Sequence, residues 1–208
     1  MIVAVVAFVI VSGSKKTSTS GTEETANAPV LPESAWPAIS LTPTDNSQVK
    51  GSDGHWLDLK VEKINVPGAA SMDYLLVYST SDGGQQGVPG TVKLTGGDIE
   101  RKLLLGSESS GKFRYDAGVE QGILTVTFRD ANGKLVGKLD TDFHLQTDVT
   151  ALTSVDGTFT YTLDKIAKSV YFVTMKTYIE PTTALVVWQN GYGVFASDGK
   201  AHTGKLGQ

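Results

Sequence analysis

From about residue 55 onward, apolar and polar residues alternate with a period of two, which is the period of a half-buried β-strand. Residues 158–163 show this most clearly, because apolar residues and threonines alternate there without a break. No helical period extends beyond a turn or two. About ten short strands separated by turn residues predict an all-β fold. The predicted architecture is an antiparallel β-sandwich, immunoglobulin-like or jelly-roll-like, with a β-barrel as the alternative.

The dipeptide Asn132-Gly133 lies between two such strands and predicts a hairpin. Asn-Gly favours a two-residue turn of type I′, in which both central residues have positive φ angles. That turn places Val126 opposite Leu139 and Phe128 opposite Gly137. The apolar residues of both strands then share one face, which a slip of one residue would not allow.

Two further glycine-containing dipeptides, Gly96-Gly97 and Asn190-Gly191, predict hairpins in the same way. The pairs expected across the first turn are Leu94 with Ile99 and Lys93 with Glu100. Those expected across the second are Val187 with Val194 and Trp188 with Gly193. Residues 74–78 and 170–173 are apolar on both faces, so we expect each segment to form a central strand.

An unbroken apolar run at residues 2–11 precedes the β region. As a helix it reaches about 15 Å, half of the roughly 30 Å of bilayer hydrocarbon, so it is too short to span. It has the length of a signal-peptide core, yet no Lys or Arg precedes it. We interpret residues 1–14 as a partial transmembrane or signal-like segment, the end of a longer anchor that starts upstream.

Two alternatives to this interpretation remain open. Residue 1 is the true start and the run is an atypical export signal or peripheral anchor, or the run is a buried strand, rich in valine as strands are. Lys15 and Lys16 follow the run directly, and positive charge favours the cytoplasmic side. The direction of the tether is therefore not fixed by the sequence.

Residues 15–50 have the composition of a linker, with four of the seven prolines and many Ser, Thr, Asn and Ala residues. Such a stretch buries too little apolar surface to offset the entropy of ordering it. Trp36, Ile39 and Leu41 interrupt it, and we expect the chain to dock first on the domain there. The predicted organisation is thus an N-terminal segment 1–14, a linker 15–50 and a β-sandwich domain 51–208.

The composition excludes several classes of protein. The 208-residue chain has a formal net charge of −4 and no basic stripe interleaved with aromatics, which argues against nucleic-acid binding. It has no cysteine, which excludes disulfides, thiol catalysis and cysteine-ligated zinc. An exported domain without disulfides must be held together by its own core, which is typical of bacterial rather than animal secretion.

Asp140, Asp142 and His144 share one face of a predicted strand, because alternate residues of a strand point the same way. Two carboxylates and an imidazole in that pattern are suitable ligands for a divalent metal. The simpler interpretation is a solvated sheet face of mixed charge, so we predict no metal and no cofactor. Trp56 and Tyr192 border turn-rich segments and are candidate ligand contacts, since exposed aromatic patches often mark binding surfaces.

No catalytic motif is present: the chain lacks a serine-nucleophile elbow and a phosphate-binding loop. By analogy with other sandwiches, we predict a non-enzymatic binding or structural domain of the bacterial cell envelope, extracytoplasmic and either membrane-anchored or secreted. Its expected partners are the membrane, through the N-terminal segment, and a protein or glycan at the cell surface. The alternatives are a hydrolase acting on envelope glycans and a sandwich that binds a carbohydrate or another small ligand.

Overall fold

The computed structural model describes residues 29–207, and the fold in that range is built from strands. It contains fifteen strands and one turn of 3₁₀ helix, Glu33–Ala35. In chain order the strands are β1 (Ala38–Thr44), β2 (Trp56–Glu62), β3 (Ser71–Ser79), β4 (Gln85–Lys93), β5 (Ile99–Leu104), β6 (Gly106–Ser109), β7 (Lys112–Tyr115), β8 (Gln121–Arg129), β9 (Leu135–Thr147), β10 (Ala151–Thr153), β11 (Thr160–Leu163), β12 (Tyr171–Lys176), β13 (Val187–Gln189), β14 (Tyr192–Ala196) and β15 (Gly204–Leu206). No helix in the described range has the length and apolar character needed to cross a membrane.

Two packed sheets form the sandwich. The larger layer is a seven-stranded antiparallel sheet in the order β13-β14-β12-β9-β8-β3-β4. The three-stranded sheet β1-β2-β5 packs on one of its faces, here called the inner face. Side chains of both layers meet in the main core, among them Leu59 of β2 and Phe128 of β8, which are fully buried. The predicted all-β antiparallel sandwich is therefore confirmed.

A second three-stranded sheet, β10-β11-β15, lies on the outer face of the larger sheet at its β12–β14 end. Phe159 packs there with Phe172 of β12, whereas Val173 of β12 belongs to the main core. Strand β12 is thus buried on both faces, which confirms its predicted central position. The outer face of β3 and β8 is open, since Leu75 of β3 and Ile123 of β8 are 41% and 47% exposed on that face.

The sandwich includes residues from the predicted linker. Strand β1 pairs along its whole length with β2, and Ile39 and Leu41 in it have no exposed surface. These residues therefore dock on the domain as expected, but they are not the first to do so, because Leu31 is buried as well, and the fold extends ahead of residue 51. Val30 also forms a parallel bridge with Lys138 of β9. The predictions for residues 1–14, and for the part of the linker before residue 29, lie outside the described residues.

The hairpin between β8 and β9 has the predicted register but a different turn. The confirmed pairs are Val126 with Leu139 and Phe128 with Gly137. The predicted type I′ turn is wrong, because Gly133 has a positive φ of 81° and Asn132 does not. The Gly133 N–H donates to the carbonyl of Asp130 at 3.0 Å, and the register shifts beside Arg129. This β-bulge absorbs the extra turn residue and restores the expected pairing.

The other two predicted hairpins have opposite outcomes. The one at Gly96-Gly97 is wrong: β4 pairs with β3, and β5 pairs with β2 in the other layer. The two glycines, with φ angles of 83° and 98°, carry the chain between the two sheets. The one at Asn190-Gly191 is confirmed, with Val187 opposite Val194 and Trp188 opposite Gly193.

Candidate functional site

A concave site lies on the outer face of the larger sheet, where the covered and open parts of that face meet. The turn between β10 and β11 stands over β9 and leaves a hollow of about 200 Å³. We call it the acidic hollow; its charged and aromatic lining residues are Asp140, Asp142, Asp156, Lys176, Tyr178 and Tyr192. Three of these six, Asp140, Asp142 and Tyr192, are residues that the sequence singled out.

Strand register explains why these side chains converge. Asp140 and Asp142 are alternate residues of β9 and point to the same face. Met175 pairs with Phe143, so the next residue of β12, Lys176, lies beside Asp142. Lys176 in turn pairs with Tyr192 of β14. Three adjacent strands therefore supply one row of polar side chains across the sheet.

The Asp156 carboxylate is held by a network of donors within the β10–β11 turn. One of its oxygens accepts hydrogen bonds from the hydroxyls of Ser154 at 2.5 Å and Thr158 at 2.9 Å, and from the Thr158 N–H at 3.0 Å. The other accepts from the Tyr192 hydroxyl at 2.6 Å. Burial acts to raise the pKa of Asp156, but the hydrogen bonds from Ser154 and Tyr192 outweigh it and hold the pKa well below its ordinary value. Asp156 is therefore a fixed negative charge.

Asp142 differs from its two acidic neighbours in having no partner. Its side chain makes no hydrogen bond or ion pair with any residue of the described range 29–207. Asp140, by contrast, accepts from the Thr125 hydroxyl at 2.7 Å and pairs with Lys138 at 2.9 Å. Burial, followed by the charges of Asp156 and Asp140, raises the pKa of Asp142. The carboxylate oxygens of Asp142 are thus free to accept hydrogen bonds, and they lie near the negative charges of Asp140 and Asp156.

Tyr178 and Lys176 close one side of the acidic hollow. The Tyr178 hydroxyl donates to the backbone carbonyl of Asp140, and its ring packs against Trp36 with centroids 4.9 Å apart. The Lys176 ammonium lies 5.8 Å from the centre of the same ring, in cation–π range. Burial, with the charges of Asp140 and Asp142, raises the pKa of Tyr178 to about 12, so the phenol is neutral at physiological pH.

A second hollow, of about 180 Å³, adjoins the first and shares Asp142 and Val155 with it. It runs over the open part of the sheet and is lined by Val77 and Ile123. Ile123 is 47% exposed and Val155 is 41% exposed, high fractions for large apolar residues. The two hollows together form what we call the sheet-face groove, acidic at one end and apolar at the other.

The structure places the other two sequence candidates outside this groove. His144 follows Asp142 on the same face of β9, but its Nδ1 lies 2.8 Å from the carbonyl oxygen of Thr153. Within residues 29–207, no group of three or more His, Asp or Glu side chains is arranged to hold a metal ion. Trp56 packs edge-on against Phe113, with ring centres 5.7 Å apart, and its buried Nε1–H has no partner in that range.

Sequence reasoning missed Asp156, Tyr178 and Lys176. The segment Ser154-Val155-Asp156-Gly157-Thr158 carries a local signal, because an Asp followed by Gly and Thr typically forms a side-chain-stabilised turn. That signal predicts the turn and not its position, which depends on packing between β10–β11 and β12 that is distant in sequence. The position of Lys176 follows from the alternation of side chains along β12 once the pairing of β12 with β9 is known, whereas Tyr178 lies beyond the end of β12 with a φ of 64° and is placed only by the three-dimensional structure.

The sheet-face groove combines a free carboxylate, a fixed carboxylate, an ammonium group and exposed apolar side chains within two connected hollows. Such a combination can orient a ligand that has both a charged and an apolar part. The chain matches no protein-family model, no curated protein and no solved structure.

Proposed function

We propose that this chain is a binding module whose sheet-face groove takes a ligand with a positively charged amine and a short apolar part. The observation that carries the proposal is the position of Asp142, an unpartnered carboxylate at the junction of the acidic and apolar hollows. A bound ammonium group supplies the missing partner. It also relieves the repulsion from Asp140 and Asp156 that raises the pKa of Asp142.

The rest of the groove supports a ligand of this kind. Ile123 and Val155 offer apolar surface to the uncharged part of the ligand, and burying that surface contributes about 25 cal/mol per Å². The rings of Tyr178 and Tyr192 are already packed, on Trp36 and Phe159 respectively. One side of each ring is therefore already in contact, whereas the carboxylate of Asp142 has no partner in the described range, so the site favours an amine over a neutral sugar.

We propose further that the module acts in the bacterial cell envelope, tethered or exported through its N-terminal segment. The apolar run at residues 2–11 and the proline-rich sequence after it support this location. Fractionation of cells that express the full chain, followed by protease treatment of intact cells, tests it. Recovery of the chain in a protease-resistant cytosolic fraction contradicts the envelope assignment and leaves the binding proposal standing.

Binding is tested by titrating the full chain with benzylamine and, as a neutral match, benzyl alcohol, while backbone amide NMR shifts are recorded. Benzylamine is expected to shift resonances around Asp142, Ile123 and Val155, and benzyl alcohol to bind at least about tenfold more weakly. Asp142→Asn should remove this preference. Asp164→Asn, a change of the same kind at an exposed carboxylate outside the groove, should not. Equal binding of the two probes contradicts the proposal.

A second candidate function, hydrolysis of an envelope glycan, is favoured by one observation. Two carboxyl groups lining the same hollow have pKa values displaced in opposite directions, upward at Asp142 and downward at Asp156. Glycoside hydrolysis uses two carboxyl groups whose surroundings displace their pKa values in opposite directions. Release of reducing ends from purified peptidoglycan, lost in Asp142→Asn, supports this function; no release by the full chain contradicts it.

A further inference from the structure

A separate cleft of about 310 Å³ lies at the end of the sandwich, between the β3–β4 turn and the β6–β7 hairpin. We call it the hairpin cleft; its polar lining residues include Ser81, Asp82, Ser107, Arg114, Tyr115 and Asp116. The two sites share no lining residue: Gln85 of β4 borders the groove, whereas Gln86 borders the cleft. The volume lies at the lower end of the range for small-molecule sites.

The base of the hairpin cleft is rigid. The Tyr78 hydroxyl donates to Oδ2 of Asp116 at 2.9 Å, and the Tyr78 side chain is buried in the main core. The Asp116 N–H donates to the Leu105 carbonyl at 3.1 Å. Gly106 lets the strands of the hairpin approach closely, because a Cβ there would lie 2.2 Å from the carbonyl oxygen of Arg114. Asp116 is therefore fixed in position, and its Oδ1 makes no hydrogen bond to any residue of the range 29–207.

Several polar groups of the cleft have no partner within residues 29–207. The exposed Arg114 guanidinium makes no hydrogen bond or ion pair there; hydrogen bonds from Thr80 and Gly84 lower the pKa of Asp82, and the charge of Arg114 adds to them. The hydroxyl of Tyr115 is buried and makes no hydrogen bond. Because that hydroxyl has no exposed surface, it does not reach the cleft, and the unpartnered side chain that faces the cleft is that of Arg114.

The chemistry of these groups selects a zwitterion. A guanidinium group binds a carboxylate through two parallel hydrogen bonds, and Arg114 is free to do so. Asp116 offers a carboxylate oxygen to a positive group, and as alternate residues of an extended chain the two lie about 7 Å apart at the Cα atoms. Asp82 and Asp116 together disfavour a ligand that carries only negative charge. A small molecule with a carboxylate and an ammonium a few bonds apart satisfies both ends.

We propose that the hairpin cleft is a second binding site, for a small zwitterion of the amino-acid type, with its carboxylate on Arg114 and its ammonium on Asp116. This site is independent of the sheet-face groove and of the function proposed for it. The aromatic row behind it, in which Tyr115 stacks on His55 at 4.5 Å between ring centres, holds the hairpin in place around the ligand.

The test is an NMR titration of the full chain with L-alanine, propionate and propylamine. L-Alanine is expected to shift the resonances of Ser107, Arg114 and Ala117, and to bind about tenfold more tightly than either single-charge probe. Arg114→Gln should weaken L-alanine binding about tenfold. Arg101→Gln, which removes an exposed arginine from β5, should leave it unchanged.

Two outcomes overturn the proposal. In the first, L-alanine at millimolar concentration shifts no resonance of the cleft residues. In the second, the Arg114→Gln variant binds L-alanine as tightly as the unchanged chain does. A melting curve of each variant identifies any loss of folding. Arg114→Gln is the deciding variant, because Arg114 makes no hydrogen bond or ion pair in the described range, whereas Asp116 also accepts from Tyr78. Resonances of Asp142 and Ile123 report separately on the groove.

Discussion

Leu31 packs directly on Gly137, so closely that a Cβ added to Gly137 would lie 2.1 Å from one methyl of Leu31 and 2.7 Å from its Cγ. Leu31 is 4% exposed and its N–H donates to the carbonyl of Lys138 at 3.3 Å. The chain therefore joins the fold at β9, seven residues ahead of β1. The absence of a side chain at position 137 makes this junction possible.

We expect Gly137→Ala to destabilise the fold by about 1–3 kcal/mol, since the added methyl overpacks a buried contact. Leu31→Ala alone should cost about 2–3 kcal/mol through the cavity it leaves. In the double variant the two losses should not add, because the smaller residue at 31 makes room for the methyl at 137. Urea unfolding of all four proteins measures this coupling, and strict additivity contradicts the contact.

Much of the fold follows from the local sequence, because the alternation of side chains along a strand and the identity of turn residues are local properties. Alternation alone places Asp140 and Asp142 on the same face of β9, and the Asn190-Gly191 turn determines the register of its hairpin. The failure at Gly96-Gly97 has a physical reason. The apolar side chain of Ile99 can pair with Leu94 across a hairpin or with Val61 of β2. Only the packing of the two layers, which is not a local property, selects Val61.

The candidate site was only half predictable for the same reason. Asp142 lies on a strand face that the sequence defines, whereas Asp156 reaches the hollow through a turn whose sheet packs on β12 and β14. No local pattern encodes that packing. The position of Asp156 depends on contacts such as the 2.6 Å hydrogen bond from Tyr192, which is far away in sequence.

Glu62 at the end of β2 anchors the connection between β12 and β13. Its side chain is 2% exposed, and its carboxylate accepts hydrogen bonds from the N–H of Thr182 at 3.0 Å and from the Thr182 hydroxyl, with Lys60 at 3.2 Å. Glu62→Ala leaves the N–H and the hydroxyl of Thr182 without an acceptor, whereas Lys60 keeps Asp98 and Glu100, so we expect a loss of about 3 kcal/mol. Glu100→Ala, at a side chain that is 74% exposed, should cost less than about 1 kcal/mol.

The same residue predicts a pH dependence. Burial acts to raise the pKa of Glu62, but hydrogen bonds from Thr182 and Lys60 outweigh it, and the pKa lies below its ordinary value of 4.5. A carboxyl whose pKa is lowered by folding stabilises the fold above its unfolded pKa, and that contribution is lost as pH falls through the folded value. Unfolding free energy measured from pH 6 to below 4 should fall less in Glu62→Gln than in the unchanged chain. Equal slopes would contradict this role.

The Asn190-Gly191 turn predicts a backbone effect. Gly191 has a φ of 80°, a region that a residue with a Cβ enters at a cost of about 1–2 kcal/mol, so Gly191→Ala should lower the unfolding free energy by that amount. Gly87→Ala in β4 is the matched control, since Gly87 has no positive φ and a Cβ there meets its nearest neighbour at 3.5 Å. That change should be neutral or slightly stabilising. Thermal unfolding of both variants gives the comparison.

His55 stacks on Tyr115, with ring planes 10° apart, and so links the start of β2 to the β6–β7 hairpin. Burial lowers the pKa of His55 below its ordinary value of 6.5, although the nearby charges of Asp116 and Asp53 act in the opposite direction. A histidine whose pKa is lowered by folding must take up a proton at an energetic cost, so stability is full above pH 6.5 and declines as pH drops toward the folded pKa. Hydrogen exchange of the β6–β7 amides should therefore speed up between pH 7 and pH 5, after correction for the intrinsic rate. His55→Phe keeps the stack without the titration and should abolish that change. If the variant shows the same acceleration as the unchanged chain, the opening of the hairpin has another cause than protonation of His55.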